Sequence, residues 1–104
     1  MYSSVNAERE AVIEAALGSP TRIRIIIVLY KHGEMGLSDL AKRVGASSAV
    51  VNTQLKTLLE YGVVTVKRVG RMPLYKLSDV PEIRRLAEAL AKADLLLTAE
   101  PTRG

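Results

Sequence analysis

The sequence predicts a mostly α-helical domain that carries one small β-hairpin. Between residues 37 and 77 the chain reads as a short helix, a tight turn, a longer helix and two short β-branched segments. Helix-prone segments with regular apolar spacing lie on both sides of this stretch. With 104 residues, the chain has the length of one domain. We therefore expect a single domain over residues 1–104, built from four helices, two strands and a fifth helix.

The first two helices are predicted from their apolar spacing and their end signals. Residues 7–17 carry one apolar stripe, and Gly18 is expected to end this helix. Ser19 is a good N-cap for the second helix, with Pro20 at its first position. From there to about Lys31 the chain is apolar on nearly all sides, so we expect this helix at the centre of the core.

The third and fourth helices are predicted to form a helix-turn-helix. Ser38 is expected to cap the third helix and Gly45 to end it in a left-handed conformation. Ser47 is expected to cap the fourth helix, which Gly62 ends. Apolar residues at helical spacing define the predicted inner face of the fourth helix: Val51, Leu55, Leu58 and Leu59.

Residues 63–68 and 74–77 are predicted to be two strands, joined by a turn at residues 69–71. Pro73 suggests an exposed, edge-like start for the second strand.

The last helix is predicted over residues 80–97. Asp79 is its expected N-cap, with Glu82 completing a capping box. The tail 98–104 shows no pattern and is expected to be disordered.

The positive charge is concentrated in one part of the chain. The net charge is +4, but residues 40–78 hold seven basic residues against Glu60 alone, which gives +6 there and −2 elsewhere. Phosphate binding is largely electrostatic, so this asymmetry favours a polyanionic partner over a basic domain with no nucleic-acid role. The seven basic residues are Lys42, Arg43, Lys56, Lys67, Arg68, Arg71 and Lys76.

Several function classes are excluded or disfavoured by composition. The chain has no cysteine, which excludes disulfides, thiolate metal sites and a cysteine nucleophile. Its one histidine, His32, is expected to interact with a helix end and not to bind a metal. No acid pair on a common face and no phosphate-cradling glycine loop is present, so we expect neither an enzyme nor a cofactor. No apolar run could span a bilayer, so we expect no membrane association and a cytoplasmic location.

The chain resembles the ArsR-type winged helix-turn-helix regulators over roughly residues 8–97. Residues 18–25, GSPTRIRI, resemble the start of that family's second helix. Residues 37–44 match its first DNA-proximal helix, and residues 47–64 match its recognition helix and exit. Residues 70–77, with Gly-Arg followed by Leu-Tyr-Lys-Leu, match its wing.

The resemblance implies a set of DNA-binding residues. The recognition helix would read bases in the major groove and the wing would contact the backbone or the adjacent minor groove. Arg71 and Arg68 are the stronger wing candidates, with Lys67 and Lys76 weaker. Arg22 could contact DNA, but a structural pairing with a nearby acidic residue is the favoured interpretation. The implied contact set is Ser47, Ser48, Ala49, Asn52, Thr53, Lys56, Lys67, Arg68 and Arg71.

The chain departs from this family in its sensing chemistry. Metal-sensing members carry cysteine pairs on the first DNA-proximal helix, or histidine and acidic ligands on the last helix. Here residues 40–43 contain no cysteine, and the last helix has Glu88 and Asp94 but no histidine. We therefore expect no thiolate metal sensing, and the effector stays unidentified.

The resulting expectation is a homodimeric, sequence-specific transcriptional regulator, a repressor, that binds double-stranded DNA. Helices 7–17 and 80–97 are expected to form the dimer interface, because their apolar stripes would otherwise be a large exposed patch. The alternative for these helices is that they only cover the monomer core. The alternative function is a winged-helix protein-interaction module within a larger transcription or chromatin assembly, which the polar recognition face disfavours.

Overall fold

The computed structural model describes the backbone of residues 4–98 and the side chains of residues 11–95. Its element order confirms the predicted winged helix-turn-helix fold. The elements are α1 (Ser4–Leu17), α2 (Pro20–His32), α3 (Leu37–Val44), α4 (Ser48–Glu60), β1 (Val64–Val69), β2 (Met72–Leu77) and α5 (Pro81–Thr98). Helix α1 begins three residues before the predicted start. The expected disordered tail lies outside the described residues, except for Thr98, which ends α5.

Helix α2 is the centre of the core, as predicted. It packs against α1, α3, α4, α5 and β2. Ile25, Ile26 and Leu29 are fully or almost fully buried in it. The hydroxyl of Ser19 accepts a hydrogen bond from the Arg22 backbone N–H at 3.3 Å, so the predicted N-cap is confirmed.

The helix-turn-helix is formed by α3 and α4. Gly45 ends α3 with φ 82°, in the left-handed region. The hydroxyl of Ser47 caps α4 by accepting from the Val50 backbone N–H at 3.1 Å.

The predicted N-cap of α3 is wrong. The helix starts at Leu37, and the cap position is Gly36, which offers no side chain. Two backbone hydrogen bonds between Met35 and Tyr75, of 3.0 and 2.8 Å, hold the chain immediately before this helix. This pairing to β2 fixes the helix start at Leu37, two residues earlier than a cap at Ser38 would have placed it.

Strands β1 and β2 form an antiparallel hairpin, called the wing below, whose register runs from Val64↔Leu77 to Val69↔Met72. The strands extend further toward the turn than predicted, because only Gly70 and Arg71 form the turn. Gly70 has φ 64°, which a two-residue hairpin turn requires. Pro73 lies inside β2, opposite Arg68, instead of before the strand.

The predicted capping box of α5 is also wrong. The helix begins at Pro81, so Asp79 lies two residues before it. The Asp79 carboxylate instead accepts from Lys76 Nζ at 3.3 Å and from Arg84 Nη2 at 3.4 Å. These two cations draw the carboxylate away from the helix N–H groups. Among the described helices, none is long and apolar enough to cross a membrane.

Candidate nucleic-acid interface

Helix α4 has a buried face and an outward face. Val51, Leu55 and Leu58 are fully buried, and Leu59 packs at the edge of the core. The outward residues predicted to contact DNA are exposed, apart from a half-buried Asn52. They are Ser47, Ser48, Ala49, Asn52, Thr53 and Lys56. The structure therefore brings this part of the predicted set together on one polar helix surface.

Two hydroxyl groups on this surface already make local hydrogen bonds. Thr53 Oγ1 donates to the Ala49 carbonyl oxygen at 3.0 Å, so its hydroxyl can only accept from a further partner. Ser47 Oγ accepts from the backbone in its capping bond and keeps its proton for donation. Ser47 is thus suited to a phosphate oxygen, whereas Thr53 is suited to a donor on a base edge.

The basic residues of the wing do not form one patch. Side chains alternate across a strand, so Arg68 and Lys67 lie on opposite faces of the hairpin. Arg68 shares its face with Tyr75 and Leu77, which are buried against the core. Lys67 shares the other face with Lys76, its diagonal neighbour across the strands.

The two lysines of the wing have acidic neighbours. Lys67 Nζ lies 3.6 Å from Glu34 Oε2, and Lys76 Nζ lies 3.3 Å from Asp79 Oδ2. Because the Lys67 side chain is 63% exposed, its ion pair contributes little and can be exchanged for a phosphate. Neither Arg68 nor Arg71 makes an ion pair or hydrogen bond with another described residue. These two arginines are therefore the wing cations with free donors.

Arg22 is half-buried, and its guanidinium donates three hydrogen bonds to other parts of the chain. Its Nε donates to the Ala15 carbonyl oxygen at 2.7 Å, and its Nη2 donates to the Glu14 carbonyl oxygen at 3.4 Å. Its Nη1 donates to Gln54 Oε1 at 2.7 Å. The guanidinium therefore connects the end of α1 to the middle of α4. Arg22 is structural, as favoured from the sequence, but its partners are carbonyls and an amide instead of an acidic side chain.

Gly18 makes room for this connection. A Cβ at this position would lie 2.5 Å from the Glu14 carbonyl oxygen and 2.9 Å from Arg22 Nη2. Sequence reasoning missed Gln54, although a signal was present. Gln54 is a polar residue at inner-face spacing, three residues after Val51 and four before Leu58.

His32 lies at the end of α2, where its Nδ1 is 3.4 Å from Arg43 Nη1. Within the described part of the chain, no three histidine, aspartate or glutamate side chains are close enough to hold a metal ion.

Comparison with known proteins identifies the family. The family model described as winged helix-turn-helix DNA-binding matches residues 19–65. The transcriptional regulator NmtR of Mycobacterium tuberculosis is 33% identical over 81 residues, covering 78% of this chain and 67% of that protein. A transcriptional repressor SmtB homolog of Synechocystis is 32% identical over 91 residues, covering 85% of this chain and 68% of that protein. The chain belongs to the ArsR/SmtB family of transcriptional regulators.

A solved structure supports the same fold for this ArsR/SmtB member. The homodimeric winged helix-turn-helix DNA-binding domain Mb0332 of Mycobacterium bovis, a possible ArsR-family regulator, superposes with a TM-score of 0.74 at 22% identity. The match covers 97% of this chain and 92% of that one. The family resemblance found in the sequence is confirmed by the two relatives, and its fold by this structure.

Replacing Arg22 by alanine is expected to lower the free energy of unfolding by about 2–3 kcal/mol, because hydrogen bonds from a charged donor are lost. Arg24→Ala is the matched control, since Arg24 is an exposed arginine of the same helix without a hydrogen bond to another described residue. Its effect should stay within about 0.5 kcal/mol. Urea unfolding at one fixed protein concentration measures both. Equal losses in the two variants would show that the Arg22 connection does not stabilise the fold.

Proposed function

We propose that this protein is a homodimeric, sequence-specific repressor of transcription that binds double-stranded DNA through α4 and the wing. The observation that carries the proposal is the outward face of α4, an exposed helical surface of short polar side chains ending in Lys56. After α4 ends at Glu60, the chain passes through Gly62 into β1 of the basic wing. A helix followed by a basic hairpin suits a major groove with phosphates beside it.

The side chains of α4 fit the task of reading bases. Ser48 and Ala49 are small enough to allow the helix a close approach to base edges. Asn52 carries a donor and an acceptor, the pair that matches the adenine edge in the major groove. Lys56 is placed one turn further along and suits a phosphate oxygen. Sequence preference is therefore assigned to the first two turns of α4.

The wing supplies contacts that do not depend on sequence. Arg68 and Arg71, whose donors have no partner among the described residues, lie at or beside the hairpin turn. Arginine donors bind phosphate oxygens in a bidentate manner and can also enter a narrow minor groove. Lys67 can join them if its exposed contact with Glu34 is given up.

Exposed apolar side chains on α1 and α5 support the dimer. Ile13, Leu17 and Leu95 are 52%, 39% and 59% exposed. By contrast, Leu86 and Leu90 pack partly against the monomer core, so only part of each predicted stripe is free for a partner. A two-fold pairing of helices 7–17 and 80–97 would cover the exposed part. Mb0332 is homodimeric, which supports the same assembly.

The sensing chemistry differs from that of thiolate sensors. The family relatives include a protein named as a cadmium resistance regulator, CadC homolog. This chain has no cysteine, so its regulation has to use other chemical groups. Repressor action is proposed from the SmtB homolog, which is named as a transcriptional repressor.

The deciding experiment is selection of bound fragments from random duplex DNA. We expect an enriched inverted repeat, since a two-fold dimer reads two half-sites. Affinity for the selected duplex should then fall steeply with salt. If Lys56, Arg68 and Arg71 of both subunits each neutralise one phosphate, the log–log slope is about −5. No enriched sequence, or binding that hardly changes with salt, would favour the protein-interaction module instead.

Substitutions in the wing and in α4 should have different effects. Arg71→Ala and Arg68→Ala are expected to weaken binding to selected and random duplexes alike and to reduce the salt slope by about 1 per phosphate contact. Asn52→Ala should relax preference at one base position, by about 1–3 kcal/mol. Arg24→Ala on α2, which removes an exposed cation from outside α4, the wing and the proposed dimer interface, is the control. Fluorescence anisotropy on both duplexes checks this, and a wing variant with changed sequence preference would contradict it.

Ile13→Asp and Leu95→Asp are expected to convert the dimer into a folded monomer, because each would bury an unpaired charge at the interface. Both side chains are more than half exposed in the monomer, so its fold should tolerate the change. Val66→Asp, at an exposed valine of the wing, is the matched control. Sedimentation velocity at micromolar concentration distinguishes the states. A monomeric wild type would reject the dimer at once.

DNA binding should be insensitive to thiophilic metals. Arsenite and cadmium act on thiolates, and the sequence contains none. An anisotropy titration with arsenite, cadmium and zinc at micromolar levels should leave the complex intact. Release of DNA that a chelator reverses would reveal an unrecognised ligand set.

A further inference from the structure

A groove with a positive lining runs between α2, α3 and α5. Its volume is about 380 Å³, which lies in the range of small-molecule sites. Three of its lining residues are cationic, one is a histidine, one is acidic and two are apolar. The groove, called the cationic groove below, is lined by Arg24, Ile27, Val28, Lys31, His32, Arg43 and Asp94.

The charges of the cationic groove are unbalanced. Arg24, Lys31 and Arg43 bring three positive charges to it, against the single carboxylate of Asp94. None of these three cations makes an ion pair with another described residue. This differs from the base of the wing, where Lys67, Lys76 and Arg84 all have acidic partners. Cations gathered in a concave site with focused field lines attract an anion.

The floor of the cationic groove is apolar. Ile27 is only 7% exposed, and Val28 packs partly against the core. A ligand in this groove would therefore meet hydrocarbon beneath it and positive charge at its rim. That combination matches an amphipathic anion better than a bare ion such as phosphate, which would gain nothing from the apolar floor.

The position of the cationic groove disfavours DNA as its occupant. Residues 24, 27, 28 and 31 form one stripe along α2. At 3.6 residues per turn, the centre of this stripe is turned roughly 180° from Arg22. Arg22 is the residue that contacts Gln54 of α4, at 2.7 Å. The groove thus opens on the side of α2 that faces away from the recognition helix.

We propose that the cationic groove binds a small amphipathic anion, a carboxylate, sulfonate or phosphate carried on a short apolar body, and that this ligand is the effector. The regulatory half of this proposal rests on the proposed function. Arg43 lies in the last turn of α3, two residues before the Gly45 turn that leads to α4. An anion that bridges Arg43 to Lys31 or Arg24 would bias the position of α3 relative to α2, and with it the recognition helix.

The test uses the whole 104-residue chain and two fluorescent probes of similar shape. Anilinonaphthalene sulfonate carries the anionic group, and phenyl-naphthylamine is its neutral counterpart. We expect saturable binding of the sulfonate and at least tenfold weaker binding of the amine. The double substitution Lys31→Gln and Arg43→Gln should weaken sulfonate binding about tenfold or more, because charge-assisted contacts are lost. Lys42→Gln, at the exposed lysine next to Arg43 that does not line the groove, should leave binding unchanged.

The outcomes distinguish this site from other surfaces. Equal binding of the two probes would overturn the proposal. So would equal sulfonate binding by the wild type and the double variant, provided that the thermal melt of the variant is unchanged. The double variant could also lose affinity for the sulfonate and for the duplex in parallel, with duplex displacing the sulfonate from the wild type in direct competition. That result would assign the groove to DNA and would overturn the proposal too. If the wild type binds the sulfonate but binds no DNA, the anion site is upheld and the proposed repressor function is rejected. Failure of the anion site and failure of the proposed function can therefore be told apart.

Discussion

The burial of α2 is the constraint on which the rest of the structure depends. All four other helices and β2 pack against it, and residues such as Ile25 and Ile26 have no exposed surface. Each surrounding element has one apolar face, and that face must turn toward α2 to leave water. The polar faces of α3 and α4 are therefore directed outward by the same packing. The outward, exposed surface of α4 is thus a consequence of the core.

Polar contacts then fix the angles that apolar packing leaves open. An aliphatic core without phenylalanine or tryptophan has little shape specificity, because leucine, isoleucine and valine can repack with small losses. The Arg22 guanidinium supplies direction by joining α1 carbonyls to Gln54 at 2.7 Å. The Met35–Tyr75 backbone pair does the same for the wing, which it ties to the loop before α3. Both contacts link an element proposed to bind a partner to the core around α2.

The features that could be predicted from the sequence are those set by local chemistry. The caps at Ser19 and Ser47 and the left-handed Gly45 depend on neighbours a few residues away, and all three are found. The start of α3 was predicted wrongly because it depends on a distant residue, since Met35 pairs with Tyr75. The place of Asp79 was predicted wrongly because two nearby cations, Lys76 and Arg84, compete for its carboxylate. A capping rule considers neither kind of competing partner.

The same distinction applies to the candidate interface. The outward face of α4 follows from helical periodicity, so its exposure could be predicted residue by residue. The division of the wing cations into those with and those without acidic neighbours could not be predicted. Among the described residues, Lys67 and Lys76 gain the acidic neighbours Glu34 and Asp79, whereas Arg68 and Arg71 gain none. Composition assigns all four the same charge, and only the fold separates paired cations from free ones.

Screening by salt sets a limit on how an anion in the cationic groove could act on DNA binding. A bound anion would reduce the positive charge of the subunit and so weaken its long-range attraction for DNA. That direct effect is small at physiological salt, because charges more than about 8 Å apart are largely screened. A large change in affinity would therefore have to pass through the contacts of α3. Among the described lining residues of the groove, Arg43 is the one on α3. Because screening weakens the direct electrostatic effect, a bound anion would have to act on DNA binding by changing the position of α3 and α4.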